Sequence, residues 1–143
     1  MLFRSSNVKA VQKTIEKVSS CIERLMELHD FADENEAFVL LRASLWALRD
    51  RLSNKEAIQL GTQLPALLRG FYYEGWDMKY QSISRTQKEF LDEVRSYLNG
   101  HTNLDVDKGV PVVLKVVLDM IDQGEAIDVI HQLPKEIQEL CPD

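Results

Sequence analysis

Residues 45–71 read LWALRDRLSNKEAIQLGTQLPALLRGF. Leu45, Leu48 and Leu52 recur at steps of three and four, the spacing that lines up side chains on one helical face. Ser53 then stands three residues before Glu56, the arrangement of a capping box. A helix therefore ends around Arg51 to Ser53 and a short one opens behind it, with Gly61 read as its stop. Gln63-Leu64-Pro65 starts the next helix, with Pro at its first position, where a missing N–H costs nothing. Leu67, Leu68 and Phe71 form its expected buried side.

Residues 114–140 read LKVVLDMIDQGEAIDVIHQLPKEIQEL. They follow the first stretch at a constant offset of 69 positions. Gln63-Leu64-Pro65 falls on Gln132-Leu133-Pro134, Glu56-Ala57-Ile58 on Glu125-Ala126-Ile127, Asp50 on Asp119 and the capping Ser53 on Asp122. Apolar positions agree between these anchors, as Leu48 with Val117, Leu60 with Val129 and Leu68 with Ile137 show. Upstream, Ile22 meets Leu91 and Leu25 meets Val94 without a gap. A constant offset over this length reads as one unit used twice. The expected fold is all-α, a single helical domain of two tandem repeated units, each of about four helices, two long and two short. The first unit covers 8–72, a connector 73–85 and the second unit 86–141.

The remaining helices follow from the same signals. Val8, Val11, Ile15, Val18, Ile22 and Leu25 make one face of a first helix, better suited to a bundle than to pairing with another chain. Asp33 and Glu36 open the second, whose buried stripe is Phe38, Leu41, Leu45, Leu48 and Leu52. Tyr72-Tyr73-Glu74-Gly75-Trp76-Asp77 and a polar stretch to Arg85 form the connector. Thr86 and Glu89 are a further capping box, Phe90, Leu91, Val94 and Leu98 the apolar face behind it, and Asn99-Gly100 the stop. Pro111 falls on Arg42, inside the second helix of the first unit. Because Pro is tolerated in a first turn, its helix is expected to begin near Asp107 to Val110, with Thr102 to Gly109 as loop.

Composition sets bounds on function. The chain has 143 residues, 45% apolar and 28% charged, with net charge −6. An acidic chain is poorly suited to holding nucleic acid. The charge is uneven. Residues 42–69 sum to +3 and residues 101–143 to −6, a polarity that suits self-association or a charged partner. Met1-Leu2-Phe3-Arg4 runs into polar residues without the apolar core of a signal peptide, and no apolar run reaches membrane-spanning length. A cytoplasmic protein without membrane contact is expected. Cys21 and Cys141 do not resemble a disulfide framework.

Leu48-Arg49-Asp50-Arg51-Leu52, Glu56-Ala57, Gln63-Leu64-Pro65, Leu68-Arg69-Gly70 and Tyr72-Tyr73-Glu74-Gly75-Trp76 together resemble the bacterial proteins grouped as domain of unknown function 2267. Phe90-Leu91-Asp92-Glu93-Val94 and Gln132-Leu133-Pro134-Lys135-Glu136-Ile137 resemble that family's second half. The resemblance runs over roughly residues 20 to 141. It implies the helical fold and a bacterial cytoplasmic setting, and it carries no activity, cofactor or site residue with it.

The residues themselves point away from catalysis. His29, His101 and His131 are dispersed, with no HExxH, no paired cysteines, no nucleophile elbow and no phosphate-cradling glycine loop. No catalytic, cofactor or metal site is expected, and His29 reads as a helix C-terminal residue. Gln63 and Gln132 are expected to satisfy backbone groups in their tight turns. Asp50 and Asp119 are expected to pair with nearby backbone or an Arg. The aromatic connector either packs between the units or anchors a partner.

The expected function is a non-catalytic protein-interaction module, binding a protein partner or a second copy. Its candidate residues are Arg69, Tyr72, Tyr73, Trp76, Arg42 and Arg49. The alternative is an enzyme or small-ligand protein with a pocket between the units, lined by Arg42, Arg49, Arg69, Tyr73 and Trp76. A minor alternative is a helix-turn-helix-like nucleic-acid binder, against which Asp128, Glu136 and Glu139 give the second short-helix pair the wrong charge.

Overall fold

A computed structural model describes residues 8–101 and 103–142. The Met1–Arg4 stretch and Thr102, the first residue of the expected loop, lie outside the described residues. The described chain forms α1 (Lys9–Leu28), α2 (Glu34–Arg51), α3 (Asn54–Gln63), α4 (Ala66–Tyr73), α5 (Gln87–Ser96), α6 (Val106–Met120), α7 (Gln123–Gln132) and α8 (Lys135–Gln138), with no strand among the described residues.

Helix α2 is the axis of the bundle and packs against α1, α4, α5 and α6. It is buried on nearly every side: Ala37, Leu40, Leu41, Ala43, Leu45, Ala47 and Leu48 have almost no exposure. The stripe read from the sequence is thus only part of its buried surface, and Phe38 at its start is only half-buried. Asp33 caps the helix by accepting the Glu36 N–H at 2.8 Å. Helix α6 crosses so close that a Cβ on Gly109 would collide with Leu40.

The short helices end for a stated reason. Leu64 and Leu133 both adopt extended backbone, φ −81° and −84°, as a residue ahead of proline prefers. Pro65 and Pro134 then stand as the N-caps of α4 and α8, one place earlier than expected. Gly61 does not stop α3. It is buried two residues before the helix end, and a Cβ there would collide with the Tyr73 side chain. The limits of α3 and α7 coincide at the 69-residue offset. At the same offset, Arg69 Nε donates to the Gly61 carbonyl and its Nη2 to the Leu64 carbonyl, while Gln138 Nε2 donates to the Leu133 carbonyl.

Three other expectations change. Helix α6 begins at Val106, ahead of the expected Asp107 to Val110 window, because Asp105 caps it through the Lys108 N–H at 3.1 Å. Residues 106–109 are therefore helix rather than loop. Pro111 lies in the second turn, and the carbonyl of Asp107, four residues before it, loses its helical donor. On α1 the apolar face is buried only at Val18, Cys21 and Leu25, whereas Val8 and Ile15 are exposed. On α4, Leu67 is exposed, and Tyr72 is the buried side chain beside Leu68.

Candidate functional site

The connector is the longest stretch outside the helices that separates two of them, and α2 holds it down. Gly75, at φ +69°, turns the chain after α4. Gln81 Nε2 then donates to the carbonyls of Asp50 and Leu52, and the Ser82 N–H donates to the Asp50 carbonyl, all at 2.9 Å. Arg51 Nε donates to the Ser84 carbonyl at 2.7 Å, and Asn54 Nδ2 donates to the Met78 carbonyl. The Ser82 hydroxyl donates to the Glu93 carboxylate of α5. The last carbonyls of α2 thereby receive the donors that a helix C-terminus lacks.

Beneath the connector lies a buried ion pair. Arg49 Nε and Asp50 Oδ1 are 3.0 Å apart, with side chains 3% and 2% exposed. Arg49 Nη1 donates to the carbonyls of Tyr72 and Glu74, and the Tyr97 hydroxyl donates to Asp50 Oδ2. Burial, and the bond to Asp50, push the Tyr97 phenol up to about 12. A buried pair repays its desolvation only with such additional hydrogen bonds. Arg49, Asp50, Gly75, Asp77, Tyr80 and Tyr97 line a cavity of about 300 Å³ above it.

Of the residues proposed from sequence, Tyr72 and Arg49 are buried, and Arg42, Arg69, Tyr73 and Trp76 are half-buried. Tyr72 has no exposure, and its hydroxyl donates to the Ala57 carbonyl at 2.8 Å. The Tyr73 hydroxyl donates to the Ile58 carbonyl, and its ring stacks on Trp76 at 5.6 Å. Arg42 lies over the rings of Phe38 and Trp46, at 5.4 and 5.0 Å, a cation–π arrangement. Arg69 spends its donors on the α3 carbonyls. Tyr72, Tyr73, Trp76 and Arg49 are brought together at the root of the connector; Arg69 opens on one cleft and Arg49 on another.

Sequence reasoning missed what the connector shows to solvent. Its side chains alternate in the reverse of the usual sense. Ser82 and Ser84 are buried, whereas Ile83 is 86% exposed; Tyr80 and Met78 are about half exposed. Nothing in a run of Ser-Ile-Ser states which face is inward, because the bonds that decide it come from α2 and α5.

Two other features lie away from the connector. A cleft of about 830 Å³ runs between α1, α4 and α6, with Lys13, Lys17, Arg24, Arg69, Gln63 and Cys21 among its lining residues. Arg24 is paired with Asp119 at 2.7 Å. Burial pushes the Cys21 thiol up to about 11, which favours the less reactive thiol over the thiolate. Between α3 and α7, Glu56, Glu125 and Asp128 bring one carboxylate oxygen each within 4.8 Å of one another. Burial, then the neighbouring Glu56 carboxyl, push Glu125 up to about 8. This is the one group of metal-ligating type among the described residues. Its sequence signal was the register of Glu56 on Glu125.

Gln63 and Gln132 bond across the junction rather than within their own turns. Gln132 Oε1 accepts the N–H of Ser53, the N-cap of α3, at 3.0 Å; Gln63 Oε1 accepts the N–H of Asp122, the N-cap of α7, at 3.2 Å.

No curated protein matches the chain. The family model described as an uncharacterized conserved protein, DUF2267, matches residues 19–140, from the middle of α1 through α8. The match covers nearly the whole chain, both short-helix pairs and the connector between them, and the chain belongs to the DUF2267 family.

Proposed function

We propose that this chain is a non-catalytic, cytoplasmic protein-interaction module, built from two copies of one helical unit, and that it meets its partner through the outer edge of the connector. The reading rests on one observation: the connector is tied to α2 and α5 by its buried serines and its backbone while Ile83, Tyr80 and Met78 face solvent. Apolar side chains held outward on an ordered segment lose little freedom on binding, which favours affinity, and an aromatic with aliphatic neighbours is the composition of an interface anchor. Arg49 fixes the start of the connector through the carbonyls of Tyr72 and Glu74. Two copies account for the matched limits of α3 and α7 and for the reciprocal glutamine bonds. No described helix is long and apolar enough to cross a membrane.

The test is capture from extracts of the native cell by the wild-type chain and by Ile83→Asp with Tyr80→Ala. Retention by the wild type and loss by the double variant, at unchanged helicity, supports the reading. Equal retention removes it. A second reading is an anionic small-ligand site in the α1–α4–α6 cleft, favoured by Lys13 and Lys17, which outnumber Glu16 on the α1 side of its lining. It predicts that Lys13→Ala with Lys17→Ala abolishes a ligand-dependent rise in melting temperature.

A further inference from the structure

Glu56 on α3 and Glu125 on α7 face each other across the helix pair, each only 8% exposed. One oxygen of each, Oε2, is buried with no hydrogen-bond partner. None of Glu56, Glu125 and Asp128 takes part in an ion pair among the described residues. A buried carboxylate without a donor or a cation is strongly disfavoured, so the facing pair must share either a proton or a cation. Asp128 is one helical turn beyond Glu125 and exposed, so the group opens to solvent on that side.

We infer that Glu56, Glu125 and Asp128 form a binding site for one hard divalent cation, which ties α3 to α7. The geometry admits it. Oxygens at roughly 2.3–2.6 Å from a common calcium ion can be no farther apart than about 5 Å, and the three carboxylates supply oxygens within 4.8 Å of one another. The donor set is all oxygen, without His or Cys, which selects calcium, magnesium or manganese over zinc or copper. Three carboxylates leave the remaining coordination positions to water, an arrangement all three ions accept. The site draws one buried ligand from each short-helix pair. It is therefore complete only when α3 and α7 are docked, and the cation acts as a clamp on that docking.

The experiment uses the full chain, stripped with a chelator and then titrated with calcium, magnesium and manganese chlorides up to about 5 mM, a range that includes weak protein sites. Melting temperature and terbium luminescence are both read, since Tyr72 and Tyr73 bond to the carbonyls of Ala57 and Ile58 beside Glu56 and can sensitise a bound lanthanide. The expected result is one cation per chain, a rise in melting temperature, and at least a roughly tenfold loss of affinity in Glu125→Gln. Asp128→Asn, an exposed substitution that leaves the core alone, is expected to weaken binding as well, and Asp119→Asn to leave it unchanged. Absence of binding by all three cations overturns the inference, because the pair is then held by a proton instead. Unchanged affinity in both Glu125→Gln and Asp128→Asn overturns it equally, because the ion then sits elsewhere.

Discussion

Asp50 and Asp119 stand at matching places near the ends of α2 and α6, 69 residues apart, and live in different solvents. Asp50 is buried, paired to Arg49 and bonded to Tyr97. Asp119 is exposed, and Arg24 and Lys115 hold its carboxyl below the usual range. The difference comes from what covers the helix end. The connector and α5 lie over Asp50, so its charge must be matched inside the protein. Asp119 has water for that purpose. The same residue type at the same place is a structural keystone in one half and a surface charge in the other.

The comparison breaks most sharply by substitution. Asp50→Ala leaves Arg49 buried without its partner and is expected to cost about 3–5 kcal/mol, the range for one side of a buried pair. Asp119→Ala removes an exposed pair and is expected to cost no more than about 1 kcal/mol. Denaturant unfolding of the two variants measures both. Near-equal losses would show that the connector does not seal Asp50 from water.

The fold was legible because its signals are local. Capping residues, the residue before proline and three-four periodicity are all read within one turn of helix; Asp33, Ser53 and Thr86 each accept the expected backbone N–H, although only Thr86 completes its capping box and Pro65 stands one place before α4. What was not legible depends on partners far along the chain. Gly61 reads as a helix stop by type, yet it is buried inside α3 because Tyr73 occupies the space a side chain would need. Pro111 reads as a first-turn residue, yet Asp105 draws the helix start back to Val106, which puts the proline in the second turn. The aromatic connector reads as an anchor, yet Tyr72 is spent on the core and the exposure passes to Ile83. Buried serines and outward isoleucine cannot be told from their opposite without knowing where α2 and α5 lie.

Gly61 extends the comparison. Its match is Ile130, and the match of Tyr73 is Pro142. Where the tyrosine covers the helix the side chain is absent; where no tyrosine follows, an isoleucine stands. Gly61→Ala forces the Tyr73 ring aside and is expected to destabilise by about 1–3 kcal/mol, as overpacking does, despite the better helix propensity of Ala. A neutral or stabilising result in thermal unfolding would mean that Tyr73 swings away freely.

A further effect is expected from pH. Glu125 is raised from 4.5 to about 8 by burial and by Glu56. Between those values the folded chain holds a proton that the unfolded chain has released, so folding stability falls as pH rises through that window. Glu89, Asp92 and Asp119 are held low by their partners and act only as pH drops below the ordinary carboxylate range. In chelator-treated protein the melting temperature is expected to fall from pH 5 to pH 8, and Glu125→Gln to flatten that slope. A slope unchanged by Glu125→Gln would place the proton elsewhere.

The smallest effect is the most informative about the two halves. Gln63 and Gln132 each accept one N-cap N–H from the opposite short helix, at 3.2 and 3.0 Å, on exposed positions. Each bond joins the end of one helix to the start of another some sixty to eighty residues away, so it contributes to docking α3 on α7 and not to either helix alone. Loss of one such bond is expected to cost about 0.5–1 kcal/mol. If the halves are related as the offset implies, Gln63→Ala and Gln132→Ala lose the same amount, because each removes the same contact from the same junction. The double variant then tests whether the bonds act through one joint. A loss smaller than the sum of the singles means that each bond holds the other in place, because either single then already loses part of both, whereas simple additivity means two independent latches. Unequal single losses would show that the matched geometry is not matched in energy, and that the two ends of the junction carry different loads.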